Sequence, residues 1–328
     1  MIMVWVTFVL SALVIVIAAY YLAKYGDVIA IRTRLGGMFI GILLIAGATS
    51  LPELLTSISS LAQNTPDIAA GNLFGSNAFN MLMLAILDML HRRQRILRKA
   101  ARRHALTGSL AILMIGTVLY LLVANVDIRI GWLGLDSLII MAAYIGSVRL
   151  IANDTKTRSA IEEEIPEGTP KLWVGLVGFF AAAGVLVAIT PMMVSSSNEI
   201  AEITGLGATF IGSTLVAMVT SLPEAVTTIS AIRIGAVDMA IGNLFGSNMF
   251  NMFALGLTDL FYTNGRFLSV IDPSFMLIGT FGLLMTIVGL VGNLANLEKT
   301  VFNLEVDSLI LFILYFSGMF LLYQRGIG

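Results

Sequence analysis

The sequence predicts an all-α membrane protein with ten transmembrane helices in two inverted five-helix repeats. Three observations lead to this prediction. The chain of 328 residues is 58% hydrophobic and only 12% charged, with a mean hydropathy of +0.93, whereas soluble domains carry about 25% charged residues. Its apolar runs reach the roughly 20 residues that a helix needs to cross a bilayer. Two motifs, TSLPE and GNLFGSN, each occur twice, and each pair of copies is 171 residues apart.

The predicted spans follow the apolar runs in order, and no run alternates as a barrel strand would, so helices are the expected spanning elements. They are 3–23, 35–61, 67–90, 105–125, 131–150, 172–195, 206–232, 238–260, 273–295 and 304–324. Met1–Ala23 lacks a signal-peptide cleavage site, which predicts a retained helix. A polar linker at 153–171 separates a first repeat at 1–152 from a second at 172–328.

Cationic residues in the short loops predict the orientation of the chain. The loop 91–104 carries seven Lys and Arg residues, and the loop after the first span carries Lys24, Arg32 and Arg34. Both loops should therefore lie in the cytoplasm, together with the linker, and both termini should be extracytoplasmic. The basic loop could also bind anionic lipid, but a role in topology is the simpler interpretation. We expect a multi-pass protein of the cell (inner) membrane.

Five spans in each repeat make the second repeat enter the membrane from the side opposite the first. Shared residues outside the two motifs support the duplication. They are Leu35-Gly36 with Leu206-Gly207, Phe39-Ile40-Gly41 with Phe210-Ile211-Gly212, and Asp136-Ser137 with Asp307-Ser308. Inverted repeats of this kind place a transport site near the membrane midplane, where the two halves meet.

Each TSLPE copy puts a glutamate, Glu53 or Glu224, in the middle of a predicted span. An acid at the bilayer centre costs on the order of 3 kcal/mol. Pro52 and Pro223 remove a backbone donor and predict a broken helix, whose free carbonyls are tolerated where they line a cavity. No Lys or Arg is expected at this depth, so protons or metal cations must balance the two acids.

The GNLFGSN copies predict the other wall of the site. Polar residues recur at i, i+4 and i+8, which is one helical face; they are Asn72, Ser76 and Asn80, then Asn243, Ser247 and Asn251. Glycines at 71, 75, 242 and 246 would let helices approach closely. Alternatively, these Ser and Asn side chains only hold helices together. Hard oxygen ligands suit Ca²⁺ and Na⁺, whereas soft metals prefer Cys or His. Cysteine is absent, and both histidines, His91 and His104, fall in the basic loop.

At these residues the sequence resembles the Ca²⁺/cation antiporter superfamily and is most similar to its Na⁺/Ca²⁺ exchanger branch, because the H⁺/Ca²⁺ branch usually has GNxxE in place of TSLPE. The family's two α-repeats correspond to Gly41–Asn80 and Gly212–Asn251. The resemblance implies Ca²⁺ ligation by Glu53 and Glu224 with the carbonyls of Thr49 and Thr220. It implies Na⁺ sites at Ser50, Ser221, Ser76 and Ser247 with the carbonyls of Ala46 and Ala217. Asn80 matches the family, whereas Asn251 departs from members that have Asp there, which leaves two acids in the site.

The sequence therefore predicts exchange of Ca²⁺ for Na⁺ by alternating access, since two bare carboxylates should not cross a low-dielectric barrier unless ions neutralise them. The resemblance implies that spans 1 and 6 move. An H⁺/Ca²⁺ or Mg²⁺ antiporter of the same fold, a passive cation channel and an intramembrane enzyme are the alternatives. A serine protease needs a histidine near its serine, and no span is predicted to contain one. We expect the lipid bilayer to be the surrounding medium. We expect no enzyme activity, no cofactor, no nucleic acid and no obligate protein partner.

Overall fold

The computed structural model describes residues 1–33, 46–90, 96–156, 168–233, 237–295, 300–301 and 304–326. Several features of the sequence lie outside these ranges. They are the pairs Leu35-Gly36 and Phe39-Ile40-Gly41, most of the linker, and part of the basic loop. Every residue predicted to form the cation site is described.

The described residues of the first half form several helices and a short hairpin. These are α1 Ile2–Thr33, α2 Leu51–Ala62, α3 Pro66–Leu90, α4 Ile96–Ala124 and α5 Leu135–Lys156, with β1 Arg129–Ile130 and β2 Leu133–Gly134 between α4 and α5. Residues 46–49, directly before α2, are also helical. The two strands pair antiparallel, with Arg129 opposite Gly134.

The second half repeats this order. Its helices are α6 Leu172–Thr204, α7 Gly207–Ile211, α8 Ala217–Thr220, α9 Leu222–Arg233, α10 Val237–Thr258, α11 Phe275–Ala295 and α12 Val306–Gly326, and its hairpin is β3 Thr300–Val301 with β4 Leu304–Glu305. A π-helical turn, Gly212–Val216, joins α7 to α8, and two 3₁₀ turns, Asp259–Phe261 and Phe267–Ser269, lie between α10 and α11. Residue for residue, α2 matches α9 and the first hairpin matches the second at the spacing found between the motifs.

Within the described residues, six helices are long and apolar enough to cross a membrane: α1, α3, α4, α5, α6 and α12. A seventh span results if the bent pair Gly207–Thr220 and Leu222–Arg233, which meet at 41°, counts as one. Each of the ten predicted spans overlaps helix within the described residues, although the fifth and the tenth begin in a hairpin. A shorter apolar stretch, Phe275–Val291, lies on α11 within the described residues.

Burial separates a central helix from peripheral ones. In the most apolar window of α3, 94% of the residues are buried, whereas α6 has only 17% buried. α1 packs along α6, and both expose large apolar side chains such as Leu13 and Phe180. Such a surface is suited to lipid, which is as apolar as these side chains. The helix that carries the first GNLFGSN copy is therefore the core of the molecule.

Several helices extend beyond the predicted spans. α1 continues to Thr33, and α6 continues to Thr204, where Gly205 adopts the left-handed conformation (φ 69°) that commonly ends helices. The basic loop is shorter than predicted because α4 already begins at Ile96. His104 therefore lies inside a helix and is buried, so the expectation that both histidines occupy the loop is wrong. The apolar run that predicted the span begins only after this cationic first part of the helix.

Candidate cation site

Both TSLPE segments interrupt a helix at their serine. Ser50 separates residues 46–49 from α2 with φ −89° and ψ 6°, and Ser221 separates α8 from α9 with φ −87° and ψ 2°. The prolines that follow have no N–H to donate to the preceding turn. Glu53 and Glu224 consequently lie in the first turn of α2 and α9. The positive end of a helix dipole favours a carboxylate at that position.

Each glutamate accepts a hydrogen bond from the serine of the opposite half. Ser50 Oγ donates to Glu224 Oε1 at 2.8 Å, and Ser221 Oγ donates to Glu53 Oε1 at 3.0 Å. All four side chains are fully buried. The two bonds are equivalent under the internal repeat, since the serines and the glutamates have the same spacing. The two halves of the chain therefore meet at the two carboxylates.

The first GNLFGSN copy, on α3, is hydrogen-bonded to both TSLPE segments. Asn72 Nδ2 donates to the Glu53 carbonyl at 2.9 Å, and Asn72 Oδ1 accepts from Thr220 Oγ1 at 2.8 Å. One turn further along α3, Ser76 Oγ donates to the Ala217 carbonyl at 3.5 Å. The polar face predicted from the i, i+4 spacing is thus turned toward the helix breaks.

Glycine permits this close approach. A Cβ atom at Gly75 would lie 2.4 Å from the Ser213 carbonyl oxygen, and one at Gly71 would lie 2.9 Å from the Ser213 backbone nitrogen. Both are overlaps with backbone of the π-helical turn, which a side-chain rotation cannot relieve. The glycines of the motif therefore determine how closely α3 packs against the broken helix of the second half.

The second GNLFGSN copy, on α10, has fewer hydrogen bonds. Asn243 Nδ2 donates to Thr227 Oγ1 at 3.2 Å and to Thr228 Oγ1 at 3.3 Å. Neither Asn243 Oδ1 nor Ser247 Oγ has a partner within the described part of the chain. The carbonyls of Ala46 and Ala217 accept equivalent bonds from Thr49 Oγ1 and Thr220 Oγ1, at 3.1 and 3.3 Å, so the difference lies in the serine and asparagine contacts. The two walls thus have the same residues and different hydrogen bonding.

Four asparagines link the two copies at their C-terminal ends. Asn80 Nδ2 donates to Asn248 Oδ1 at 3.0 Å, and Asn251 Nδ2 donates to Asn77 Oδ1 at 3.1 Å. These two bonds are again equivalent under the repeat. In addition, Asn248 Nδ2 donates to the Asn77 backbone carbonyl at 3.4 Å. All four side chains are buried.

Among the buried oxygens that have no hydrogen-bond partner in the described part of the chain, four belong to carboxylates and amides of the site. They are Glu53 Oε2, Glu224 Oε2, Asn80 Oδ1 and Asn251 Oδ1. Neither glutamate forms an ion pair with a described Lys or Arg. Burying a charge or a polar group without compensation is costly, and carboxylate and amide oxygens are ligands that hard cations prefer. The arrangement can therefore hold a hard metal cation, which would supply the missing positive charge.

All twelve predicted site residues are buried: Ala46, Thr49, Ser50, Glu53, Ser76, Asn80, Ala217, Thr220, Ser221, Glu224, Ser247 and Asn251. Two further residues, Asn77 and Asn248, belong to the same network and were missed. A signal for them exists, because each lies three residues before a predicted site asparagine and therefore on a shared helical face.

A second group of buried acids lies near the first hairpin. Here Arg266 Nε lies 3.2 Å from Asp136 Oδ2, and its Nη2 donates to Asn125 Oδ1 at 2.6 Å. Arg266 also donates to the Val126 carbonyl. Asp259 accepts from the backbone N–H groups of Gly134 and Phe267 at 2.8 and 2.6 Å. We call Arg266, Asp136, Asp259 and Asn125 the arginine cluster; it joins the two halves with a cation of the protein's own.

A third acidic group lies near the second hairpin. Asp88, Glu305 and Asp307 each offer a carboxylate oxygen, and these oxygens lie within 4.8 Å of one another. Ser308 Oγ donates to Asp88 Oδ2 at 2.7 Å, and Ser308 N donates to Asp307 Oδ1 at 2.9 Å. The first of these bonds connects α12 to α3, so this group joins two helices.

Comparison with known proteins identifies the family to which the chain is similar. The family model described as "Sodium/calcium exchanger protein" matches residues 3–152 and 174–324. The chain is 28% identical to the inner membrane protein YrbG of Escherichia coli, over 77% of this chain and 78% of the relative. It is 29% identical to the sodium/calcium exchanger MaX1 of Methanosarcina acetivorans, over 74% of this chain and 78% of the relative.

Two solved structures share the fold. The H⁺/Ca²⁺ exchanger CAX matches 99% of this chain and 89% of its own with a TM-score of 0.67 at 14% identity. The sodium-calcium exchanger NCX_Mj matches 97% of this chain and 98% of its own with a TM-score of 0.60 at 19% identity. Both likenesses extend over nearly the whole chain.

Proposed function

Because the chain belongs to the sodium/calcium exchanger protein family, we propose that it exchanges Ca²⁺ for Na⁺ across a membrane by alternating access. Membership confirms the resemblance to the Ca²⁺/cation antiporter superfamily, a family of multi-pass membrane transporters. The observation that carries the finer proposal is the pair of buried carboxylates, Glu53 and Glu224, each bonded to a serine of the opposite half and neither paired with a described cationic side chain.

Charge balance explains why such a site would exchange ions. Two carboxylates carry two negative charges, which one Ca²⁺ neutralises, as would two Na⁺. A site left with net charge would meet a large penalty in a low-dielectric barrier. Only the loaded site then changes its access from one side of the membrane to the other, and Ca²⁺ movement is coupled to the opposing ion.

The proposed ligands follow from the free oxygens. Glu53 and Glu224 would bind Ca²⁺ with the amide oxygens of Asn80 and Asn251 and the carbonyls of Thr49 and Thr220. Na⁺ would use the hydroxyls of Ser50, Ser221, Ser76 and Ser247 and the carbonyls of Ala46 and Ala217. Ca²⁺ takes about 6–8 oxygen ligands, so a set of this size is sufficient without any Cys or His.

We infer that the ten helical segments form two inverted repeats, 1–152 and 172–328, joined by a cytoplasmic linker. The reciprocal bonds Ser50–Glu224 and Ser221–Glu53 support this, because such an exchange of partners is what a two-fold relation produces. We place the protein in the cell (inner) membrane, with the basic loop 91–104 in the cytoplasm. Both termini are then extracytoplasmic. The lipid-facing pair α1 and α6 would be the moving part.

The second candidate is an H⁺/Ca²⁺ antiporter, favoured by the fold shared with CAX. We prefer Na⁺ because the TSLPE copies supply hydroxyls beside both acids. The test is ⁴⁵Ca²⁺ uptake into proteoliposomes with an outward gradient of Na⁺, K⁺ or H⁺ applied one at a time. We expect uptake with the Na⁺ gradient alone. Uptake with the H⁺ gradient and none with Na⁺ would replace the proposal by the second candidate, and flux without any counter-ion would indicate a passive channel.

A further inference from the structure

The direction in which the Asn80 amide points is fixed by a chain of hydrogen bonds that ends on a backbone carbonyl. The carbonyl of Asn77 can only accept, so the group of Asn248 that approaches it at 3.4 Å must be Nδ2. Asn248 Oδ1 is then directed to Asn80, and it accepts from Asn80 Nδ2 at 3.0 Å. The Asn80 oxygen consequently remains free, and it has no partner in the described part of the chain.

The reversed arrangement is unfavourable at two contacts. If the Asn80 amide turned over, its Oδ1 would oppose Asn248 Oδ1, and two acceptors would meet. If Asn248 turned over as well, its Oδ1 would oppose the Asn77 carbonyl, with the same conflict. All of these groups are buried, at 0% to 1% relative exposure, and a buried acceptor left without a donor is destabilising. One orientation of both amides is therefore strongly preferred.

We propose that Asn248 is a positioning residue, which keeps the Asn80 side-chain oxygen free for the transported cation. This inference rests on the proposed function, since it assumes that Asn80 is a Ca²⁺ ligand. In this proposal Asn248 acts through Asn80, because its Oδ1 accepts from Asn80 Nδ2 and its Nδ2, as a donor, cannot coordinate a cation. If Asn248 were lost, the Asn80 amide could turn its NH₂ group toward the bound ion.

The equivalent chain in the other half lacks the anchor. Asn77 Oδ1 accepts from Asn251 Nδ2 at 3.1 Å, but Asn77 Nδ2 has no hydrogen-bond partner among the described residues. Nothing comparable to the Asn77 carbonyl then determines which way the Asn77 amide points. The positioning role therefore belongs to Asn248 specifically and does not follow from the repeat alone.

The experiment compares Asn248→Leu, which removes the acceptor at similar volume, with Asn248→Asp, which keeps an acceptor for Asn80. Ca²⁺ affinity is measured on the purified full-length protein by equilibrium dialysis with ⁴⁵Ca²⁺, alongside thermal unfolding. Loss of a residue that orients a metal ligand typically weakens binding about 10–100-fold, and we expect this for the Leu variant. The Asp variant should bind Ca²⁺ more tightly than the Leu variant even if it unfolds at a lower temperature. The control is Thr286→Ala, whose buried hydroxyl donates to Gly282 of its own helix at 2.7 Å, with wild-type affinity expected.

A packing role would give the opposite order, because a buried Asp is the more disruptive change. Wild-type affinity in Asn248→Leu, or a weaker Asp than Leu variant, would overturn the proposal. If Asn248→Leu does not fold, the test moves to Asn248→Ala, made alone and together with Asn80→Asp. A carboxylate at position 80 presents oxygen in either orientation, so the second change should then cost little further affinity; full additivity would count against positioning. Absence of Ca²⁺ binding in the wild type would instead remove the proposed function, and the positioning role with it.

Discussion

The central site and the arginine cluster both bury acids between the two halves of the chain, and they compensate them in different ways. Asp136 is buried against Arg266, whose Nε lies 3.2 Å away, and Arg266 is itself 1% exposed. Glu53 and Glu224 are equally buried, but their described partners are the hydroxyls of Ser221 and Ser50. A hydroxyl donates a hydrogen bond to the carboxylate but supplies no positive charge to balance it.

This difference separates a structural ion pair from the proposed transport site. A buried carboxylate with a fixed cation is satisfied permanently, so it can join two halves but cannot exchange its partner. A buried carboxylate without one needs a mobile cation, and its cost of burial disappears only when that ion is present. Removing a charge should therefore abolish transport at the central site and lower stability at the arginine cluster.

The largest effect is expected from removing one charge at the central site. In Glu53→Gln or Glu224→Gln, one carboxylate remains, and it cannot balance both charges of a divalent ion. The interaction of the lost carboxylate with the ion, about 2–5 kcal/mol, disappears. We expect ⁴⁵Ca²⁺ uptake into proteoliposomes to fall to background while the protein still folds. Glu202→Gln, an exposed change on α6, is the matched control and should transport normally. Uptake like that of the wild type from either site variant would contradict the assignment.

At the arginine cluster, by contrast, we expect a loss of stability. Arg266→Met keeps the apolar stem and removes the charge, which leaves Asp136 buried without its cation at a cost of about 3–5 kcal/mol. Thermal unfolding in detergent should shift strongly downward, whereas Ca²⁺ affinity of the folded protein should be unchanged. Combining Arg266→Met with Asp136→Asn should recover part of the stability. A loss of Ca²⁺ affinity without any loss of stability would show that the cluster belongs to the transport site.

A smaller effect is expected where α3 packs against the π-helical turn. Gly75→Ala would place a methyl group 2.4 Å from the Ser213 carbonyl oxygen, and such overpacking costs about 1–3 kcal/mol. The backbone shift would also move Ser76 from the Ala217 carbonyl, so transport should slow. Gly116→Ala on α4 is the matched control, because a Cβ there meets nothing within 4 Å. Equal unfolding temperatures for the two variants would mean that the contact yields easily.

Much of the central site could be predicted because its signals are local. The i, i+4 spacing of Asn72 and Ser76 and the proline after each TSLPE serine act within a turn or two of helix, and the structure has both features. Because the motifs are duplicated, each predicted site residue also has an equivalent at the matching position of the other half. The family match confirms the superfamily that these motifs suggested.

The missed features depend on contacts distant in sequence. In the sequence, Arg266 lies in a predicted loop between two spans, where a cation is ordinary. Its burial against Asp136 depends on how the two halves pack together. Each strand of the two hairpins has two residues, which is too few to produce a periodic pattern in the sequence. The unequal hydrogen bonding of the two walls cannot be predicted from identical motifs, since it is a property of how the halves meet.

The smallest predicted effect tests that inequality directly. Asn72 donates to the Glu53 carbonyl and accepts from Thr220 at 2.9 and 2.8 Å, whereas Asn243 makes longer contacts of 3.2 and 3.3 Å and its Oδ1 lacks a partner among the described residues. Because a net hydrogen bond contributes about 0.5–1.5 kcal/mol, Asn72→Ala should lower the unfolding temperature more than Asn243→Ala in the absence of ions. The two variants control for each other, since the residue type, burial and motif position are the same. An equal loss in both would mean that the two walls are energetically equivalent, and the asymmetry seen in their hydrogen bonds would then carry no weight in the transport cycle.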